Sequence, residues 1–114
     1  MDSSFKAALK ASKEQHKPLF IYIGTDHCDE CRKMHPVFLD SEVIAFYSAN
    51  FVCYKMDPDI FSNNMRLTGW GIYQTPSFIY MNNKKYILYS MSGPQSIKDF
   101  LNTGKKVIKN IKDF

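Results

Sequence analysis

No apolar run in this sequence approaches the about 18 residues that a helix needs to cross a bilayer. The opening stretch Met1–Lys17 is polar and shows no signal peptide; a cytosolic protein and a chain beginning at a mature start would look alike here. Cysteine is scarce as well. Three cysteines in 114 residues are too few for a disulfide scaffold, and their odd number leaves one over after any pairing. There is no internal repeat and no low-complexity tract, so a single domain spanning residues 1–114 is expected. A dominant charge is also lacking: the net charge is +4, with Lys and Arg scattered among Asp and Glu. Only the last turns, with Lys105, Lys106, Lys109 and Lys112, are plainly basic. A solvated helix face explains them better than nucleic-acid binding does, and no nucleic-acid partner is implied.

What is present is apolar material for one core, at 45% hydrophobic and 15% aromatic residues. The most informative stretch is His27-Cys28-Asp29-Glu30-Cys31, followed by Arg32-Lys33-Met34-His35-Pro36. It lies between a hydrophobic run, Leu19–Ile23, and a helix-compatible segment reaching about Leu39. A strand turning into a helix there would put Cys28 at the helix N-terminus, where unpaired N–H groups favour a thiolate. Cys31, almost a turn further in, is close enough to form a disulfide with Cys28 and better shielded. A nucleophile with a resolving partner is what thiol–disulfide exchange requires. A metal site is the second reading, because His27, Cys28, Cys31 and His35 supply four soft or borderline ligands. A redox-silent interaction module is the third.

In chain order, Asp2, Ser3 and Ser4 are candidate caps for a first helix in which Phe5, Ala8 and Leu9 repeat at helical spacing. Lys17-Pro18 ends it, and Leu19–Ile23 reads as a strand buried on both faces. In the CxxC helix, Cys31, Met34, His35 and Phe38 share a face, which turns His35 toward the core, and Pro36 should kink the helix. Asp40-Ser41 caps a helix carrying Val43, Phe46 and Tyr47. Phe51–Met56 is a second strand, in which Cys53 reads as an inert buried thiol. Ile60–Thr68 reads as a helix with Ile60, Phe61 and Met65 inward, ended by Gly69. Ser77–Met81 and Tyr86–Met91 form a hairpin around Asn82-Asn83. The final helix has Ile97, Phe100, Leu101, Ile108 and Ile111 on one side, and Gly104 weakens it midway. The order α-β-α-α-β-α-β-β-α predicts an α/β fold: a mixed, mainly buried sheet with helices on both faces.

These residues resemble the thioredoxin superfamily over roughly Lys17 to Leu101. Cys28-Asp29-Glu30-Cys31 matches its CxxC, Pro36 its helix-kinking proline, and Trp70-Gly71-Ile72-Tyr73-Gln74-Thr75-Pro76 the segment ending in its cis-proline; Gly93 resembles the glycine before its last helix. Lys17-Pro18-Leu19-Phe20, Phe38, Glu42-Val43, Asn50-Phe51-Val52 and Lys55-Met56-Asp57 look like the group holding small periplasmic thioredoxins and the C-terminal domain of the bacterial transmembrane disulfide reductase.

The resemblance implies a thioredoxin-like sheet of about four strands, since the family's N-terminal strand is missing. It implies a disulfide reductase in which Cys28 and Cys31 are catalytic and Thr75, Pro76, Trp70 and His27 contact substrate. No cofactor is implied beyond the redox-active disulfide. The expected partners are protein thiols and disulfides and a separate redox partner, with the chain a monomer in the bacterial periplasm, or else in the cytoplasm. Three departures matter. His27 replaces the usual tryptophan before the first cysteine. Tyr22, six positions before Cys28, replaces the family's buried carboxylate. Cys53, four positions before Asp57, stands where the carboxylate's lysine partner is expected. Tyr22 and Cys53 should then be neighbours under the CxxC, with Tyr22 or a water it holds serving proton transfer from Cys31.

Overall fold

The computed structural model describes residues 4–111. The candidate caps Asp2 and Ser3, and Lys112 of the basic C-terminus, lie outside the described residues. The elements are α1 (Ser4–Gln15), β1 (Leu19–Ile23), α2 (Asp29–Arg32), α3 (His35–Leu39), α4 (Ser41–Asn50), β2 (Val52–Met56), α5 (Phe61–Gly69), β3 (Ser77–Met81), β4 (Ile87–Ser92) and α6 (Ile97–Asn110). The four strands form one mixed sheet in the order β2-β1-β3-β4. β1 runs parallel to β2 and antiparallel to β3, and β3 pairs antiparallel with β4. The parallel β1–β2 pair is joined through α2, α3 and α4, because parallel neighbours need a long crossover. This is a thioredoxin-like α/β fold.

Each face of the sheet carries its own apolar cluster. On one, Phe20, Phe78 and Tyr80 pack with Met34, Val37, Val43, Tyr47 and Phe100, from α3, α4, α6 and the turn before α3. On the other, Leu19, Ile21, Ile23 and Ile79 pack with Phe5, Leu9 and Leu67. The alternation of side chains along β1 and β3 thus feeds both layers, which is why those strands read as unbroken apolar runs.

Four local expectations are corrected. The CxxC helix is not kinked but divided: α2 ends at Arg32 and α3 restarts at His35, with Pro36 in its first turn. Proline has no N–H for an i→i−4 bond but is well suited to a helix start. In α5 the buried positions are Asn63 and Leu67, while Ile60, Phe61 and Met65 are exposed, Phe61 to 77%. The buried face is set by Asn63, whose Nδ2 donates to the Asp57 carbonyl at 3.0 Å. The helix is closed by Gly71, not Gly69. Gly71 has φ +74°, and the bonds Ile72 N–H to Leu67 O and Gly71 N–H to Thr68 O make a Schellman motif. In α6 the buried side is Phe100, Leu101, Gly104 and Val107, with Ile97 at the exposed margin.

Candidate functional site

β1 leads into the loop Gly24–His27 and delivers Cys28 to the head of α2. The loop is tied by Thr25, whose Oγ1 accepts the His27 N–H at 3.2 Å. Cys28 is the N-cap residue, in extended conformation, and its Sγ accepts the Cys31 N–H at 3.1 Å. Cys28 and Cys31 are joined in a disulfide. The two sulfurs are unequal: Cys31 is 2% exposed, whereas Cys28 is half-buried. Asp29 and Glu30 point to solvent and are paired with Arg32 at 3.0 Å and Lys33 at 2.8 Å. Such exposed pairs contribute little to stability.

The segment before β3 closes over Cys28. The Thr75–Pro76 peptide bond is cis. Thr75 Oγ1 donates to Cys28 Sγ at 3.3 Å, a contact that spans the sequence between the two motifs. Pro76 is fully buried, and its carbonyl accepts the Gly93 N–H at 2.8 Å, which fixes the start of β3 against the end of β4. Thr75 also shares a cleft of about 160 Å³ with Pro58, Thr68 and Tyr73. Tyr73 was not singled out in the sequence; an aromatic two residues before the Thr-Pro pair was the available signal. His27 is exposed beside the disulfide. Trp70 is placed elsewhere: it packs edge-on against Phe5, with ring centroids 5.6 Å apart, in the cluster under α1.

Beneath the disulfide loop the β1–β2 register sets the neighbours. Phe20 is opposite Cys53 and Tyr22 is opposite Lys55, so Lys55 rather than Cys53 is the cross-strand neighbour of Tyr22. Counting back from Asp57 misplaces the lysine because the strand's pairing, not its distance from the turn, decides who faces whom. Tyr22 is half-buried, with Phe38 edge-on at 4.8 Å. Burial, and then the negative charge of Asp26, raise its pKa. A Cβ on Gly24 would run into the Tyr22 ring, so glycine lets Tyr22 lie against the loop that carries Cys28. Tyr22, Asp26, His35, Phe38, Cys53 and Lys55 all line a groove of about 460 Å³. His35 is exposed on this groove and does not turn into the core; Met34 and Val37 take the buried positions.

Cys53 is an exposed residue of β2, not a buried one. Its sulfur nonetheless lies 3.8 Å from the Tyr47 carbonyl oxygen, and desolvation pushes the thiol up to about 11, with the Lys17 charge opposing. Among the described residues no group of three His, Cys, Asp or Glu side chains is arranged to hold a metal ion. His27, Cys28, Cys31 and His35 therefore do not form the cluster that the metal reading needs. Also among the described residues, no helix is long and apolar enough to cross a membrane.

Residues 5–108 match the family model described as a Thioredoxin-like domain. Among curated proteins no sequence gives a significant match. Solved structures do. A disulphide isomerase from Xylella fastidiosa Temecula1 is 24% identical with a TM-score of 0.74, covering 90% of this chain and 87% of that one. A thioredoxin from Thermus thermophilus is 20% identical with a TM-score of 0.81, covering 90% and 82%. The reduced DsbD C-terminal domain of Neisseria meningitidis is 17% identical with a TM-score of 0.77, covering 90% and 92%. At these identities the likeness is one of fold. With the family model matched over nearly the whole chain and a CxxC pair at the head of the first helix after β1, the chain belongs to the thioredoxin-like family.

Proposed function

We propose that this chain is a thiol–disulfide oxidoreductase that reduces protein disulfides through Cys28 and Cys31. The observation that carries the reading is the asymmetry of the pair. Cys28 Sγ is reachable and receives two hydrogen bonds, from Cys31 N–H and Thr75 Oγ1, while Cys31 is shut away. Donors aimed at a sulfur stabilise its thiolate, and the thiolate is the nucleophile. In the reducing direction the Cys28 thiolate attacks one sulfur of a substrate disulfide, forming a mixed disulfide and releasing the other sulfur as a thiolate. Cys31, losing its proton, then attacks Cys28 Sγ. The second substrate thiol leaves, and Cys28–Cys31 holds the disulfide that the substrate has lost. A reducing partner of the dithiol class must restore the pair.

The cleft shared by Thr75 and Tyr73 gives the substrate chain a place beside Cys28, and His27 flanks the disulfide from the loop. Tyr22, or water held beside it in the groove, is the proposed route for the Cys31 proton. The reducing direction is supported by Asp29 and Glu30, which limit how far the thiolate is stabilised. A bacterial periplasmic setting is proposed from the family resemblance. Reduction of insulin disulfides tests the assignment. The parent should turn insulin over with dithiothreitol as reductant, Cys28→Ser should be inactive, and Cys31→Ser should trap insulin as a mixed disulfide at Cys28. Equal activity of parent and Cys28→Ser would refute it.

A further inference from the structure

β4 is an edge strand whose irregularity is confined to its start, where the pairing with β3 skips Leu88; beyond that it is built unlike a protected one. From Tyr86 to Ile97 the chain carries no charged residue, and Tyr86, Ile87, Leu88, Tyr89 and Ser90 are exposed one after another. Edge strands normally carry a lysine, a proline or a short span to discourage pairing, as the other edge, β2, does with exposed Lys55. The register with β3 identifies which main-chain groups are available. Gly93 donates to Pro76, so by antiparallel alternation Met91 and Tyr89 bond to β3, and the N–H and C=O of Ser90 and Ser92 face away from the sheet. Alongside the strand runs a groove of about 610 Å³ between β4 and α6, lined by Leu88, Tyr89, Lys106, Val107 and Ile111.

Charge surrounds this surface. Residues 82–111 hold six lysines (Lys84, Lys85, Lys98, Lys105, Lys106 and Lys109) against one acid, Asp99; the positive excess of the whole chain resides in the hairpin and α6. An uncharged, apolar strand edge with Lys84 and Lys85 at its hairpin end and Lys106 along its groove is complementary to an extended segment with an apolar middle and acidic flanks. A second copy of the chain is the poorer occupant, since pairing two uncharged β4 edges would leave Lys84, Lys85 and Lys106 of both copies without acidic partners. A lipid surface is also a poor fit, because acyl chains cannot satisfy the outward main-chain groups.

We propose that β4 and its groove bind an extended, acid-flanked polypeptide segment by strand addition. The inference goes beyond the oxidoreductase reading and does not depend on it. The bound segment would run along β4 to Ser92, which is paired with Ser77 next to Pro76, and so toward the end of the sheet that holds Cys28.

The test uses the full chain and a synthetic peptide of alternating valine and threonine with two glutamates at each end; the same peptide with lysines at its ends is the control. Amide shifts should be largest at Ser90 and Ser92, and the glutamate peptide should bind at least about tenfold tighter at low salt, the sum of several rim ion pairs. Ser90→Pro should abolish binding. The exposed triple variant Lys84→Glu, Lys85→Glu, Lys106→Glu should reverse the preference between the peptides, and it decides the matter if Ser90→Pro fails to fold. Cys28→Ser should bind like the parent, so loss of reductase activity leaves this result intact. Shifts centred on Thr75, or equal binding of both peptides, would overturn the proposal. So would a β4-dependent dimer in sedimentation, or binding to phosphatidylserine vesicles without binding to the peptide.

Discussion

Thr75 donates a hydroxyl hydrogen bond to Cys28 Sγ at 3.3 Å, joining the loop before β3 to the head of α2. A hydrogen bond to a charged acceptor contributes about 1.5–3 kcal/mol, more than one to a neutral sulfur. It therefore favours the thiolate over both thiol and disulfide. Thr75→Val keeps the shape and deletes the donor. It should raise the Cys28 pKa by about one unit (about 1.4 kcal/mol) and make the dithiol a stronger reductant. Iodoacetamide alkylation of reduced Cys28 at pH 7 should slow by about three- to fourfold, because the more basic thiolate recovers part of the loss. Alkylation at the parent rate would show the contact to be incidental.

Tyr22 opposite Lys55 gives a second handle on the chemistry. A carboxylate placed at Tyr22 would face a cation already present on the neighbouring strand, and burial would raise its pKa toward the range useful for a base. In single-turnover resolution of a Cys28 mixed disulfide between pH 6 and 9, Tyr22→Phe should be slower than the parent. Tyr22→Asp should be at least as fast, and Tyr22→Asp with Lys55→Met should lose that advantage. If Tyr22→Phe resolves at the parent rate throughout, the ring is packing only and the proton leaves by another route.

How far the sequence could be read depends on how local each determinant is. Leu19–Ile23 and Ser77–Met81 are visible to the residue because a strand buried on both faces writes an uninterrupted apolar run. The cysteine pair is visible because its chemistry is contiguous. What could not be read is set by pairing across the fold. Lys55 faces Tyr22 through a register that no single strand encodes, and Cys53 is exposed because β2 is an edge. In α5 the apolar Phe61 and Met65 define a plausible inner face, yet Asn63 is the buried one because its amide caps the Asp57 carbonyl. Trp70 lies with Phe5, a contact between distant segments that composition cannot announce.

Gly104 illustrates a local rule overridden by packing. Alanine in a helix interior gains about 1 kcal/mol over glycine. A Cβ here would fall 2.7 Å from the Tyr47 hydroxyl and 2.9 Å from Phe46 Cε2. Tyr47 cannot yield easily, since its ring stacks on Phe100 at 4.2 Å and its hydroxyl is held by Tyr80 and the Phe100 carbonyl. Overpacking costs of about 1–3 kcal/mol should win, so Gly104→Ala should destabilise the fold by about 1 kcal/mol in urea. Tyr47→Phe, which removes the nearest atom, should make the same substitution less costly.

That hydroxyl chain also predicts how the protein fails in alkali. Tyr47 donates to the Phe100 carbonyl, so Tyr80 must donate to Tyr47, and both are 2.7 Å bonds in the core. Burial holds both phenols well above their ordinary value of 10, and desolvation of the sulfur holds Cys53, although the residue is exposed, at about 11 against an ordinary 9. For each of these acids the unfolded chain releases its proton at a lower pH than the folded one. Between the two pKa values the folded state binds more protons, and stability falls as pH rises. The decline should start near pH 9 through Cys53 and steepen above pH 10 as the tyrosines join. Urea midpoints measured from pH 7 to 11 should show the parent falling from about pH 9, Cys53→Ala holding to about pH 10, and Tyr80→Phe falling less steeply above that. At neutral pH Tyr80→Phe should itself cost about 1 kcal/mol for the lost bond, with Tyr47 still satisfied by Phe100. A parent midpoint unchanged up to pH 11 would mean that these groups ionise without leaving the folded core.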